Sequence, residues 1–128
     1  MIKINQPMNV KIDTKEKFSV ITPEFDQLTA ILSEELNKML MEYLTNPIPH
    51  VILNLKNIHN INETEALSII QTQSIFYEHN FSCVLCEIEK SILPLFEDSP
   101  NITPTESEAW DIVQMEEIER ELLNDFEN

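Results

Sequence analysis

The chain has 128 residues, 42% of them apolar, and it carries 23 acidic residues against 8 basic ones, which gives a formal charge of −15. This length suits one domain with one core, and so acidic a surface repels the phosphates of nucleic acids and of anionic membranes. The sequence has no glycine, which excludes the glycine-rich loops that hold nucleotide phosphates.

The first element predicted along the chain is a hairpin of two short strands. Apolar and polar residues alternate over residues 10–13 and again over 18–22, with the polar TKEK segment between them. Pro23 ends the hairpin, and Asp26 is the predicted N-cap of an amphipathic helix of about four turns. The apolar positions of that helix are Leu28, Ile31, Leu32, Leu36, Met39, Leu40, Tyr43 and Leu44.

The middle of the chain alternates strands with helices. NPIPH ends the first helix, because proline removes a backbone donor and biases its predecessor away from the helical region. The apolar runs HVILNLKNI and FSCVLCEI predict strands covered on both faces, and INETEALSIIQTQSIFYEHN between them predicts a helix with Asn80 at C′. This alternation implies right-handed crossovers in an α/β fold, a small mixed sheet of about four to five strands with about four helices packed mainly on one face.

The last third of the chain predicts two helices. KSILPLFEDSPN predicts a short helix with Pro94 in its first turn, and Thr105 and Glu108 form a capping box that opens a longer C-terminal helix, residues 106–127. We expect that helix to lie across the domain, with self-association through its apolar stripe as the alternative and with Trp110 exposed beside it. The stripe consists of Ala109, Ile112, Met115, Ile118, Leu122 and Phe126. No repeat or linker interrupts the chain, so a single domain, residues 1–128, is expected.

Cys83 and Cys86 spell CxxC, a spacing that occurs in metal and redox sites. Redox pairs sit at a helix N-terminus, whereas this pair lies in a predicted strand, where residues three apart face opposite sides. A zinc site needs two further ligands, and His50, His59 and His79 show no ligand spacing. We therefore expect two buried apolar side chains, and we predict no metal, no cofactor and no catalytic residue.

Asn62, Glu63, Thr64 and Glu65 open the second long helix. Their N-x-x-E pattern predicts a capping box, in which Asn62 accepts from the amide of Glu65 and the Glu65 carboxylate reaches back to the amide of Asn62. Glu63 adds negative charge near the positive end of the helix, which contributes about 0.3–1 kcal/mol. Stabilisation of a helix start is thus one complete explanation of these acids.

Three segments resemble the STAS family, the anti-sigma factor antagonist domains. PEFDQLTA is similar to that family's G-R-L-D-A-L-T-A, HVILNLKNIHNINETEAL to its V-I-L-D-L-S-x-V-x-x-I-D-S-S-G-L, and TPTESEAWDIVQMEEIERELL to the tail of a bacterial branch of such antagonists. The resemblance covers nearly the whole chain. It implies a STAS-like fold and a non-catalytic regulatory protein that binds another protein.

In that family, an anti-sigma factor with kinase activity phosphorylates a serine at the start of this helix, and the phosphorylated form releases the partner. The resemblance aligns Asn62 with the aspartate of D-S-[ST]-G, Glu63 with the phosphoserine, Thr64 with its neighbour and Glu65 with the glycine. Glu63 has no hydroxyl, and its permanent charge of about one partly imitates phosphate. We therefore expect the serine switch to be absent and residues 62–65 to bind the partner.

Several readings of this surface stay open. The chain is an antagonist fixed in one state, whose partner is an anti-sigma factor with kinase activity, or it is a STAS-like module repurposed for another protein. Thr64 is the candidate for a displaced phosphoacceptor, although its expected role is packing or hydrogen bonding in the first helical turn. A small hydrolase would need clustered carboxylates that converge in a pocket. Nucleotide binding ranks last, because Glu63 and Glu65 repel phosphate.

The location and assembly of the chain are further expectations. The N-terminal residues lack the apolar stretch of a signal peptide, and no apolar run has the length of a membrane span. Two cysteines do not make a disulfide framework, which agrees with a reducing compartment. We therefore expect a cytoplasmic protein with no nucleic acid or membrane partner, present as a monomer or weak homodimer.

Overall fold

The structure is a computed structural model that describes residues 8–127, with side chains described as far as Asp125. Its strands and α-helices, in chain order, are β1 (Val10–Thr14), β2 (Ser19–Pro23), β3 (Gln27–Leu28), α1 (Ala30–Glu42), β4 (Val51–Asn54), β5 (Asn60–Ile61), α2 (Glu63–Glu78), β6 (Cys83–Cys86), β7 (Ile102–Thr103) and α3 (Glu106–Glu127). Two short 3₁₀ turns, Tyr43–Thr45 and Leu93–Phe96, complete the described elements.

Five strands form one mixed sheet in the order β1-β2-β4-β6-β7. β1 and β2 are the predicted antiparallel hairpin, with Val10 opposite Pro23, and β2, β4, β6 and β7 run parallel. Every residue of β2, β4 and β6 is buried. The apolar runs of β4 and β6 predict this for strands covered on both faces, whereas β2 was predicted only as an alternating strand of the hairpin. The predicted fold class is confirmed. β3 and β5, which the sequence did not predict, form a separate parallel ribbon.

The two faces of the sheet are covered by different helices. Leu36 of α1 and Phe76 of α2 belong to the core cluster on one face, together with Ile21, Leu53 and Leu85. Ala109 and Val113 of α3 belong to the cluster on the other face, together with Phe18, Val20, Ile52 and Val84. Two of the three α-helices in residues 8–127 therefore share one face, and α3 forms a layer of its own.

Cys83 and Cys86 fall into different clusters, because successive strand residues point to opposite faces. Both thiols are free and buried, as expected for small apolar side chains. Burial raises the pKa of the Cys83 thiol to about 12, so this sulfur stays protonated at neutral pH.

Two expected helix features differ from the structure. α1 is capped by Thr29, whose side chain accepts from the amide of Leu32 at 3.2 Å, so the predicted Asp26 cap is wrong. The physical reason is that the backbone carbonyl of Asp26 accepts from the amides of His59 and Asn60, which starts the β3–β5 ribbon. The residues KSILPLFEDSPN form a 3₁₀ turn rather than an α-helix, so the described chain has three α-helices instead of about four.

Two predicted helix ends are confirmed. Asn80 follows α2 with a φ of 63°, the left-handed conformation that an asparagine tolerates better than most residues in a chain without glycine. Thr105 accepts from the amide of Glu108 at 3.2 Å and donates to the Glu108 carboxylate at 3.0 Å, which caps α3.

Only the N-terminal part of the predicted apolar stripe of α3 packs on the sheet. Ala109 is buried and Ile112 half-buried, but Met115, Ile118 and Leu122 are exposed, and the side chain of Phe126 lies outside the described residues. Val113, which that stripe omits, is the second buried contact. Trp110, expected to be exposed, is half-buried and packs edge-on against Phe18 at a centroid distance of 5.2 Å.

A buried polar network anchors the middle of α3. The amide of Ser82 donates to Nδ1 of His50 at 3.0 Å, so the ring proton is on Nε2, which donates to Glu117 at 2.8 Å. The hydroxyl of Ser82 donates to Glu116 at 2.7 Å and accepts from Arg120 at 3.0 Å. The network joins the segments before β4 and β6 to α3.

This network makes stability depend on pH near neutrality. Burial lowers the pKa of His50 from 6.5, and Arg120 adds to that effect, whereas Glu117 and Glu116 oppose it. A folded-state pKa below the unfolded value means that the unfolded chain binds more protons. His50 therefore contributes stability above pH 6.5, and this contribution is lost as the pH falls below 6.5 towards the folded-state pKa.

We expect the free energy of unfolding to fall between about pH 7.5 and 5.5, with a slope from His50 of at most about 1.4 kcal/mol per pH unit. Denaturant titrations of the parent chain and of His50→Gln at several pH values measure that slope. The variant should show a flatter profile over this interval, since the remaining carboxylates are common to both proteins. Parallel profiles for the two proteins would contradict the assignment to His50.

Candidate functional site

The start of α2 lies at the edge of the sheet where the parallel strands end. β5 leads directly into α2 and β3 into α1, and the pairing of Gln27 with Asn60 and of Leu28 with Ile61 brings the two helix starts side by side. In α/β folds, this carboxyl edge of the strands is where binding sites occur. The β3–β5 ribbon therefore fixes the position of residues 62–65.

The structure exposes three of the four residues that the resemblance singles out. Asn62, Glu63 and Thr64 are exposed, with Glu63 the first residue of the helix. Two large apolar side chains are also exposed near the paired helix starts, Ile31 at 71% in the first turn of α1 and Leu67 at 41% in the second turn of α2. The helix start therefore offers both negative charge and apolar area to the solvent.

Glu65 is placed differently, because it is turned inward and is only 8% exposed. Its side chain lines a polar groove with Gln27 and Asn60 on one side and a second groove with Ser33 on the other. Its Oε2 is buried without a hydrogen-bond partner among the described residues. This oxygen is removed from solvent without a compensating hydrogen bond among the described residues, which costs stability.

The predicted capping box of α2 is wrong. Asn62 is the N-cap by backbone conformation, but its side chain makes no capping hydrogen bond, and only its carbonyl joins the helix by accepting from the amide of Ala66 at 3.1 Å. The physical reason lies in tertiary packing. The side chain of Glu65 is buried against the β3–β5 ribbon and α1, so its carboxylate does not reach back to the amide of Asn62.

A polar seam between α1 and α2, which the sequence analysis missed, lies beneath this helix start. Asn37 donates to Ser68 at 2.9 Å and accepts from Thr72 at 2.8 Å, and the hydroxyls of Ser33 and Ser68 are 2.9 Å apart. Ser68 in turn donates to the carbonyl of Glu65 at 2.8 Å. The sequence signal was the equal spacing of these polar residues, four apart in both helices.

The acids at the helix start do not converge in the manner that the hydrolase alternative requires. Residues two apart on a helix point in different directions, and here Glu63 is exposed whereas Glu65 is buried. The grooves that Glu65 lines do not include Glu63. Elsewhere, His50 bonds to the amide of Ser82 and not to its hydroxyl, so this pair has no nucleophile–base geometry.

Within residues 8–127, no three or more His, Cys, Asp or Glu side chains are grouped as ligands for a metal ion. None of the helices in this part of the chain combines the length and the apolar character that crossing a membrane requires.

Solved structures match this fold, whereas no family model and no curated protein sequence matches the chain. The unphosphorylated form of the anti-sigma factor antagonist SpoIIAA is 15% identical with a TM-score of 0.65, covering 83% of this chain and 98% of that one. A putative anti-sigma factor antagonist from Thermotoga maritima is 14% identical with a TM-score of 0.68, covering 82% and 94%.

A third similar structure is an RsbS variant from Moorella thermoacetica with a serine-to-glutamate substitution, 13% identical, with a TM-score of 0.66 and coverage of 82% and 94%. The class that these structures define is an α/β domain of the STAS type. This chain has the STAS fold of anti-sigma factor antagonist structures, and at this level of identity the likeness shows the fold alone.

The two helix caps generate a matched prediction. We expect Thr105→Ala to lower the free energy of unfolding by about 1 kcal/mol, because it removes a side-chain bond to the helix. Asn62→Ala should cost less than about 0.5 kcal/mol, because the side chain of Asn62 makes no such bond. Denaturant titration of both variants compares them, and equal losses would show that Asn62 caps α2 in solution.

The buried carboxylate generates a second prediction, in which two neighbouring glutamates give opposite signs. We expect Glu65→Met to raise the free energy of unfolding by about 1–2 kcal/mol, because an unpaired buried charge is replaced by an apolar side chain of similar length. Glu63→Met should lower it by about 0.3–1 kcal/mol, because it removes a solvated charge from the positive helix end. Destabilisation by Glu65→Met, measured in the same titrations, would mean that the carboxylate has a partner.

Proposed function

We propose that the chain is a non-catalytic regulatory protein of the anti-sigma factor antagonist type, which binds a partner protein through residues 62–65 of α2. The observation that supports this proposal best is the exposed carboxylate of Glu63 at the first position of α2. The fold is one in which SpoIIAA, a Bacillus cell fate determinant, is known in unphosphorylated and phosphorylated forms. In this proposal residues 1–128 act as one domain, in the cytoplasm.

The proposed state of the switch follows from charge. A phosphoserine carries about −1.5 to −2 charges and three acceptor oxygens, whereas a glutamate carries about −1 and two oxygens. The amides of the first helical turn stabilise either anion, so Glu63 holds its charge at the position that the resemblance assigns to phosphoserine. The chain is therefore fixed in a form that partly imitates the phosphorylated one, and Glu63 has no hydroxyl that a kinase could modify.

A STAS-like module repurposed for a different protein partner is the second candidate. The observation that favours it is Glu65, which stands where the resemblance has glycine and is buried between α1 and the β3–β5 ribbon. A glutamate side chain packed here fills space that a glycine would leave empty, so the contacts beneath the helix start differ from those of a chain with glycine at this position. In this case, residues 62–65 form a surface selected for the present partner, and restoring the serine and glycine would weaken binding or leave it unchanged.

The test compares the parent chain with Glu63→Ser and with the double variant Glu63→Ser, Glu65→Gly. Proteins captured from a lysate of the native cells are identified, and their dissociation constants are measured with purified components. If the partner is a kinase-type anti-sigma factor, both variants should bind about tenfold more tightly, because one charge at a docking surface contributes on the order of 1–2 kcal/mol.

Glu78→Ser is the matched control, because it removes the same charge from an exposed position at the other end of α2. It should leave the dissociation constant unchanged. Weaker binding by Glu63→Ser supports the repurposed module instead of the fixed antagonist. Phosphate found on Thr64 after incubation with the captured kinase would overturn the fixed state, because the switch would then have moved by one residue.

A further inference from the structure

α3 has two apolar faces, and the sheet uses only one of them. Ala109 and Val113 pack on the sheet. Met115, Ile118 and Leu122, which we call the outer stripe, are 54%, 56% and 53% exposed. At about 100° per residue, these three positions lie roughly opposite Val113, so they are on the side of α3 that faces away from the sheet. Their spacing of three and four residues is that of a helix-packing seam.

The end of α3 extends beyond the support of the domain. Arg120 is half-buried, through its bond to Ser82, but every side chain from residue 121 to 125 is exposed. Leu123, beside the outer stripe, is 60% exposed. Exposed helical turns derive little stability from propensity alone, because most helical stability in proteins comes from packing. These apolar turns therefore lack the contact that ordinarily stabilises a helix of this composition.

Ile118 also joins the outer stripe to a groove. It lines a cavity of about 450 Å³ between α3 and the β1–β2 hairpin, together with Trp110, Gln114 and Lys17. The stripe and the groove are continuous through this residue. An apolar side chain of a partner that lies on the stripe thus has a recess beside it to enter, which is the arrangement of an anchor residue.

The charges around the outer stripe decide which occupant fits. Glu119 and Glu121 are exposed on its two flanks, Asp111 and Asp125 are exposed in line with it at its two ends, and α3 as a whole contains nine acidic residues against one arginine. A second copy of the chain would bring acidic flanks against acidic flanks. Like charges at the flanks of a helix pair oppose association, whereas opposite charges select the partner.

We propose that the outer stripe of α3 binds an amphipathic helix of a partner protein whose apolar face is bordered by lysine and arginine. Apolar contact with Met115, Ile118 and Leu122 supplies the packing, and the acidic flanks select the basic helix. This surface lies on the sheet face opposite α2, so it is independent of residues 62–65, and both surfaces can be occupied together.

The test uses the full chain and three synthetic helical peptides of equal length. The first has an apolar stripe flanked by lysine and arginine, the second has the same stripe flanked by glutamate, and the third has the composition of the first in scrambled order. Titration calorimetry should give a dissociation constant for the first peptide that is at least about tenfold lower than for either of the others. The scrambled peptide separates seam recognition from the general attraction of basic chains to an acidic protein.

Matched variants locate the site. Ile118→Gln with Leu122→Gln should weaken the first peptide at least about tenfold without changing the net charge, and circular dichroism should show an unaltered fold because both side chains are exposed. Ile31→Gln, which changes a more exposed isoleucine on α1, should leave peptide binding unchanged. Glu63→Ser should also leave peptide binding unchanged, which separates this inference from the proposed function.

Two results would overturn the proposal. Equal affinity for the ordered and scrambled peptides would reduce the interaction to net charge alone. Sedimentation that shows a dimer of the parent chain, abolished by Ile118→Gln with Leu122→Gln, would make a second copy of the chain the occupant instead of a basic partner helix.

Discussion

The structure depends on the burial of both faces of β2, β4 and β6. Because every residue of these strands is buried, a single helical layer is not sufficient, and Val20, Ile52 and Val84 would face water without α3. α3 is therefore an integral layer of the fold. Its inner contacts are the small residues Ala109 and Val113, which let the helix lie close to the sheet. Trp110 and Ile112 pack beside them, whereas Met115, Ile118 and Leu122, further along the helix, are left on the side that faces away.

The absence of glycine shapes the turns that connect these layers. Two described residues have positive φ, Asn80 and Glu87, and the second is an unusual choice for the left-handed region. Glu87 is held there by its side chain, which accepts from the amide of Glu106 at 3.1 Å and from Asn54 at 3.3 Å. These bonds connect the end of β6 to β4 and to the start of α3. Local strain at Glu87 is thus offset by contacts that also fix the second helical layer.

The parts of the fold set by hydrophobic periodicity were predictable. The hairpin, the strands β4 and β6, and the existence of α1, α2 and α3 all follow from apolar spacing over a few residues. The β3–β5 ribbon was not predictable, because each strand has two residues and its pairing joins segments that are distant in sequence. Because Asp26 is used in this ribbon, the N-cap of α1 is Thr29 and not the predicted Asp26.

In the candidate site, too, features set by local sequence were predictable and features set by tertiary packing were not. The place of Glu63 at the start of α2 follows from local sequence, but its exposure does not, because Glu65 in the same turn is buried. The capping box at Asn62 failed because the motif describes neighbours in sequence, whereas the side chain of Glu65 is positioned by α1 and the ribbon. The stripe of α3 was only partly correct, for a related reason. Periodicity identifies apolar faces but does not say which of two faces packs on the sheet, and here Val113 decides it.

Charge alone does not give this molecule specificity, because both candidate surfaces are acidic and the chain carries −15 overall. Such a field accelerates encounter with any basic surface, but it is screened beyond about 8 Å at physiological ionic strength. Discrimination must therefore come from contacts at short range. Each surface has exposed apolar side chains for such contacts. Ile31 of α1 and Leu67 of α2 lie near the start of α2, and Met115, Ile118 and Leu122 form the outer stripe of α3. The acids bring partners of one charge class to the protein, and the exposed apolar side chains select among them.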